Sequence, residues 1–364
     1  MTTIAWVVHN NSANMARLII EGMVDLGISA IDHISSREDL LYLRDPAIPP
    51  AGDVDQIGEF PDYKSFQASL ATPRFWERMP EADFIVLTIN RGPNHNAFRA
   101  ADLVRQKNLY HKLIYLDEDE TGLLNPKFSD MFLNSRFSFT WRPRLYQQFA
   151  VHPHVVNLGF NGVENRYRQF IPVSFSAKKA DVFYRGRAGA RMPHREPFIA
   201  ALKARAYPNS HIMPKLASNT TQEEFRQQHV SGNRHNVSYY QLLAESKVSV
   251  YLNGYNPLGY QFWENAALLA AQVMQEAYPC KWYHGGSYPA KLIDFEEYDP
   301  PFKRGEHFLT FETPDQMIDR VDYLLRHDKE REEIALGCQR HALEHYSSRA
   351  RAKRFLEYIL SNGD

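Results

Sequence analysis

The feature that most constrains this chain is a recurring unit: a short unbroken apolar run, a polar loop, then an amphipathic helical pattern. Phe84-Ile-Val-Leu-Thr-Ile89 is the clearest such run. It lacks polar/apolar alternation, so both of its faces need cover, as in a strand inside a parallel sheet. It leads into Asn90-Arg91-Gly92-Pro93-Asn94-His95 and a helical pattern over 97–107. Ile4–Val8 opens the same unit near the start of the chain, with His9-Asn10-Asn11-Ser12 as its loop. Met15, Leu18, Ile19, Met23 and Leu26 then recur at helical spacing, and Gly27 stands where a C-cap belongs. Leu113–Leu116 is a third run and ends in Asp117-Glu118-Asp119-Glu120; weaker runs lie at 138–141 and 155–158. Parallel strands need crossover helices, so the expected class is α/β, with a parallel sheet covered on both faces.

The pattern lapses at 171–180 and restarts at Asp181-Val-Phe-Tyr184. There Arg185-Gly186-Arg187-Ala188-Gly189 reads as a turn, followed by a helix over 194–207 and a strand at 210–213. A helix over 238–247 feeds the strand 248–252, a loop rich in Gly and Asn, and a helix over 260–272. Thr313-Pro314-Asp315-Gln316 is a capping box, and two further helices span 329–345 and 348–360. Residues 44–61, rich in Pro, Gly and Asp, read as a surface loop, and 219–232 as polar and partly helical. A length of 364 residues suits two domains. The expectation is a Rossmann-like domain over 1–170, a second over 178–346, and a helix over 347–364 packing back on the first.

Composition removes several function classes. The 42 Lys+Arg and 43 Asp+Glu nearly cancel, so bulk charge gives no case for nucleic acid or an anionic membrane. The longest apolar stretch, near 266–274, is too short to span a bilayer, and the first residues lack a signal-peptide pattern. The two cysteines, Cys280 and Cys338, form no C-x-x-C pair, so no metal site is expected from them. The reading is a cytoplasmic protein.

In open parallel sheets ligands bind beyond the carboxyl ends of the strands. That rule selects the loops after Val8, Ile89, Leu116, Tyr184 and Leu252, which would line one cleft if the two sheets face each other. Arg185, Gly186, Arg187 and Arg191 suit a phosphate: glycine lets backbone N–H groups approach an anion, and guanidinium groups offer forked donors. Glu264, early in the helix after the Gly/Asn loop, suits two sugar hydroxyls, although a carboxylate there also answers the helix dipole. Asp117 and Asp119 suit a general base or a divalent cation, and equally an acidic helix start. Free imidazole titrates near neutrality, so His9, His95 and His194 are further acid/base candidates.

The runs Ser238-Tyr-Tyr-Gln-Leu-Leu-Ala-Glu-Ser-Lys247, Val248-Ser-Val-Tyr-Leu-Asn253-Gly and Phe262-Trp-Glu264-Asn-Ala-Ala-Leu-Leu-Ala-Ala271 resemble the C-terminal half of GT-B glycosyltransferases. The resemblance is nearest to the spore-maturation CgeB-like group, with a glycosyl transferase group 1-like C-terminal domain. It implies two Rossmann-like domains facing a cleft, and transfer of a sugar from a nucleotide-sugar donor (UDP-, GDP- or ADP-sugar) without an essential cofactor or metal. The donor residues it implies are Arg185, Gly186, Arg187, Arg191, Lys215, Asn253, Tyr260, Gln261, Phe262 and Glu264. The acceptor, a glycan, protein, small molecule or modified nucleic acid, would meet Asn10, Asn90, Arg91 and His95. The base would be Asp117, Asp119 or His9. Gln261 stands where the family often has Arg, and Asn256 where retaining members have a second Glu, so stereochemistry stays open. Two alternatives remain: a metal-dependent transferase using Asp117 and Asp119, and a non-catalytic binding protein on the same fold.

Overall fold

The computed structural model describes residues 2–7, 14–28, 31–35, 74–89, 95–117, 124–140, 152–158, 162–164, 167, 170–172, 174–188, 193–216, 237–253, 259–276 and 298–361. The loop expected at 44–61, the polar stretch at 219–232 and Cys280 lie outside the described residues. The chain divides into two compact units, Met1–Gly162 with Tyr346–Asp364, and Val163–His345. No helix among the described residues is long and apolar enough to cross a membrane.

The first unit runs β1 (Thr2–Val7), α1 (Asn14–Asp25), β2 (Ile31–Ser35), α2 (Phe75–Arg78), β3 (Phe84–Ile89), α3 (His95–Lys107), β4 (Leu113–Asp117), α4 (Ser129–Asn134), β5 (Phe137–Thr140) and β6 (Val155–Asn157). It also holds the C-terminal helix α10 (Ser348–Ser361). The six strands are parallel, in the order β2-β1-β3-β4-β5-β6. Every residue of β3 is buried, as its unbroken apolar run requires. On one face Ala5, Val7, Ile85, Leu87 and Tyr115 pack against Ala97, Ala100, Ala101 and Val104 of α3. Those four recur at helical spacing, and their small size lets α3 lie close on the sheet. On the other face Trp6 and Phe139 meet Phe355 of α10, with ring centroids 6.1 and 5.4 Å apart. Full burial of Phe355 contributes roughly 2–3 kcal/mol.

Helix α10 is held against α1 by more than apolar contact. The Ser348 hydroxyl donates to Glu21 Oε2 at 2.9 Å. A Cβ on Gly22 would strike the Ser348 carbonyl, so glycine is needed there for close approach. The Arg351 guanidinium lies 4.6 Å from the Tyr346 ring centroid and donates to the Leu158 carbonyl.

The second unit runs β7 (Ala180–Ala188), α5 (Glu196–Arg205), β8 (Ser210–Leu216), α6 (Val237–Ala244), β9 (Ser246–Tyr251), α7 (Tyr260–Ala267), β10 (Ala271–Gln275), β11 (Leu309–Phe311), α8 (Pro314–Arg326) and α9 (Asp328–Tyr346). Its parallel sheet has the order β11-β10-β9-β7-β8. Val182, Tyr184, Val248, Val250 and Val273 form a core with Phe198, Ile199 and Leu202 of α5 and Met317, Val321 and Leu324 of α8. Phe183 meets Tyr239 of α6 edge-on, with centroids 5.5 Å apart. Thr313 caps α8, its hydroxyl accepting from the Gln316 N–H at 3.3 Å.

Two of the expected elements take another form. Residues 185–188 continue β7 rather than turning, because β8 supplies a full partner in register from Arg185↔Met213 to Ala188↔Leu216. Cross-strand pairing overrides the weak strand preference of Gly186. The helix expected over 260–272 stops at Ala267. Leu269 takes a left-handed φ of 57°, and Ala271-Gln-Val-Met-Gln275 becomes a fully buried strand. A continuous apolar run has no period that separates helix from strand.

Candidate functional site

In the second unit the chain passes from β7 to β8 on one side of β7, then returns to β9 on the other side. The carboxyl ends of β7 and β9 therefore flank a topological switch point, where an open α/β sheet leaves a crevice. The corresponding point in the first unit lies between β1 and β3.

Four segments meet at the second unit's switch point: the end of β7, the turn before α5, the end of β9, and α7. Arg195, 8% exposed, is the N-cap residue of α5. Its Nε donates to the Asn253 carbonyl at 2.9 Å and its Nη2 to the Leu252 carbonyl at 2.8 Å. His194 Nε2 lies 3.0 Å from the same Asn253 carbonyl. A carbonyl only accepts, so Nε2 carries the proton. Burial holds the His194 pKa below its ordinary value, with the nearby Arg195 charge acting in the same direction and the Asn253 contact opposing. The ring is thus a neutral donor at pH 7. Gly186 lies beside this guanidinium: an added Cβ would sit 2.6 Å from the Tyr184 hydroxyl and 3.2 Å from Arg195 Nη1. Glycine keeps the strand end open next to a fixed positive charge, the arrangement an anion needs to reach backbone and guanidinium together.

The end of β9 is fixed to β10. The Asn253 N–H donates to Gln275 Oε1 at 3.2 Å, and Asn253 Nδ2 donates to the Glu276 carbonyl at 2.5 Å. Helix α7 starts at Gly259, whose N–H donates to the Tyr251 hydroxyl at 2.8 Å. Gln261 Nε2 points back to the Val250 carbonyl at 3.4 Å. Phe262 is fully buried and seats α7 against Phe302, with ring centroids 4.9 Å apart. Glu264 is 2% exposed, and its Oε2 accepts from the Tyr239 hydroxyl at 2.6 Å. The Arg185 guanidinium lies 4.9 Å from the Tyr239 ring centroid.

Gly186, Asn253, Gln261 and Glu264 of the expected donor set thus lie on segments gathered at the carboxyl ends of β7 and β9. Arg185 also comes from β7, and its side chain packs on Tyr239. Arg187, Lys215 and Tyr260 are described through their backbones, with Arg187 paired to Lys215 across β7 and β8. Arg191 lies outside the described residues, as do His9, Asn10, Asn90, Arg91 and Asp119. His95 is the exposed first residue of α3. Asp117 ends β4 fully buried, and its Oδ2 accepts from the Thr140 hydroxyl at 2.9 Å, so it fastens two strand ends. Among the described residues no group of three or more His, Cys, Asp and Glu is arranged to hold a metal ion.

Sequence reasoning missed Arg195 and Tyr239 as members of this cluster. Pro197 was the available signal for Arg195: proline early in a helix marks its start, which puts His194-Arg195 beside the end of β7. Nothing local marked Tyr239, because its role arises from the packing of α6 on α7.

Residues 195–357 match the model of a family described as glycosyl transferase-like. No curated protein sequence matches the chain. The solved structure of HepE (Alr3699) from Anabaena in complex with UDP-glucose superposes with a TM-score of 0.60 at 10% identity, covering 99% of this chain and 100% of that one. An alpha-glucosyltransferase in complex with UDP-glucose and DNA containing an abasic site gives 0.58 at 11%, covering 98% of each chain. A putative UDP-N-acetylglucosamine 2-epimerase from Listeria monocytogenes gives 0.52 at 9%, covering 99% of this chain and 96% of that one. The chain has the GT-B fold these structures share.

Proposed function

We propose that the protein is a glycosyltransferase that takes a nucleotide-sugar donor on its second unit. The observation that carries this reading is the cluster of Gly186, Arg195, Asn253 and Glu264 at the carboxyl ends of β7 and β9, inside or beside the stretch that matches the glycosyl transferase-like family. That family match favours transfer over the epimerisation named for the Listeria structure. The UDP-glucose held by HepE and the alpha-glucosyltransferase supports a UDP-sugar as the first donor to test.

The chemistry divides between donor and acceptor. When the sugar C1–O bond breaks, the bond electrons leave with the nucleoside diphosphate. Fixed positive charge and backbone N–H groups stabilise that developing negative charge. Arg195 is already oriented by two carbonyls, so it loses little freedom on meeting a diphosphate, and the neutral His194 spends its one N–H on the same Asn253 carbonyl and so helps to fix the end of β9. Glu264 takes the ribose hydroxyls. In the reaction the acceptor oxygen bonds to C1 and gives its proton to a base. We assign that base to Asp119 or His9, since Asp117 is enclosed and occupied by Thr140. The donor chemistry on these residues requires no metal. The runs 238–247 and 262–271 support placement beside the CgeB-like group, with 178–346 as the donor domain. The acceptor is a hydroxyl of a glycan, protein, small molecule or modified nucleic acid.

Incubation with UDP-, GDP-, ADP- and dTDP-sugars tests the reading. Release of a nucleoside diphosphate from at least one donor, abolished by Gly186→Val, is expected. Absence of both binding and turnover across the panel refutes it.

A further inference from the structure

We infer that Tyr239 is a positioning residue that fixes the Glu264 carboxylate for ribose recognition, and so sets the preference for ribonucleotides over deoxyribonucleotides. This rests on the reading of Glu264 as the ribose ligand. An isolated carboxylate on a short helix can turn about its terminal bonds, and a misaligned pair of oxygens cannot take two vicinal hydroxyls together. Tyr239 removes that freedom. Its hydroxyl donates to Glu264 Oε2 at 2.6 Å, a short bond of the charge-assisted kind. A carboxylate offers about four acceptor positions, more than one tyrosine hydroxyl fills.

The tyrosine is itself immobile. It is 5% exposed, with its ring edge-on to Phe183 at 5.5 Å and to Tyr240 at 5.2 Å. The Arg185 guanidinium stands 4.9 Å from its ring centroid. A cation over a phenol ring draws electron density from it and strengthens O–H donation. Burial, with Glu264 beside it, pushes the Tyr239 pKa well up, so the group stays a protonated donor at any pH the fold tolerates. The three side chains come from β7, α6 and α7, linking the strand end that borders the diphosphate candidate to the carboxylate on α7. Arg185 therefore acts on the ribose side of the site, through Tyr239, rather than as a direct phosphate ligand.

The test is a ratio of dissociation constants, measured by calorimetry for UDP against 2′-deoxy-UDP, with the GDP and ADP pairs in parallel. The wild type should favour at least one ribonucleotide tenfold or more, and Glu264→Ala should erase that preference. Tyr239→Phe, which keeps the ring, should lower the ratio at least threefold. A merely structural loosening weakens both nucleotides alike and leaves the ratio unmoved. Arg185→Gln provides a second variant and should lower the ratio in the same direction. If Glu264→Ala erases the preference while Tyr239→Phe and Arg185→Gln retain it, the positioning role is overturned and the ribose reading stands. If Glu264→Ala retains the preference, the ribose reading itself falls, and the inference falls with it.

Discussion

Replacing Lys178 with methionine probes the foundation beneath the site. Lys178 is 5% exposed, and its ammonium donates to three carbonyls: Ala244 at 2.9 Å, Ser246 at 2.9 Å and Leu268 at 3.1 Å. Ala244 ends α6, Ser246 begins β9 and Leu268 caps α7, so one side chain ties together the two helices that carry Tyr239 and Glu264. Three hydrogen bonds from a charged donor are worth about 1.5–3 kcal/mol each. Burying the ammonium costs several kcal/mol and offsets most of that sum. The net expected loss in Lys178→Met is about 1–3 kcal/mol at pH 7. Burial, and then the charge of Arg331, lower the Lys178 pKa from 10.5 to about 7. Between those values the unfolded chain binds more protons than the folded one, so wild-type stability gains with rising pH from this residue. Methionine has no such dependence. The stability gap should therefore widen from pH 7 to pH 9, by up to about 1.4 kcal/mol per unit. Urea denaturation of both proteins at pH 7, 8 and 9 measures this directly. A gap that stays constant across the three pH values, or a variant as stable as the wild type, refutes the reasoning.

Gly186→Ala should destabilise the second unit by about 1–3 kcal/mol, since its Cβ would press on Tyr184 and Arg195, and should weaken nucleotide binding tenfold or more; denaturation and calorimetry read the two effects. His307 is buried and accepts the Lys303 N–H on Nδ1 at 3.0 Å; burial, and then His341, depress its pKa to about 4. The unfolded chain binds the extra proton first, so stability should fall as pH drops from about 6.5 to about 4, and His307→Asn should flatten that fall in urea midpoints taken at pH 7 and 4.5. Burial drives the Cys338 thiol up to about 12, so peptide mapping after iodoacetamide treatment should find it unmodified in the folded protein and alkylated in urea.

The limits of reading this fold from sequence are visible in particular residues. Strand β3 was legible residue for residue, because full burial on both faces leaves an unbroken apolar run. Gly27 marked the end of α1 and takes a left-handed φ of 66°. Strand β2 left little trace: Ile31-Asp-His-Ile-Ser35 is short and half polar, and its pairing with β1 comes from the sheet. Strand β10 was hidden by Leu269, which makes the left-handed turn that a glycine would have signalled. At the candidate site, Gly186, Asn253 and Glu264 could be found by reasoning from strand ends and helix starts. Arg195 was marked only indirectly, by Pro197 at the start of its helix, and Tyr239 not at all, since their partners lie 57 and 25 residues away in the chain and meet them only through packing.

Hydrogen exchange with and without UDP, or whichever nucleoside diphosphate the panel selects, reads most directly where the donor binds. Slowed exchange in peptides covering 184–195 and 250–265 is the predicted result. Protection confined to peptides of the first unit, or equal exchange throughout at saturating nucleotide, would contradict a donor seated where β7 and β9 end.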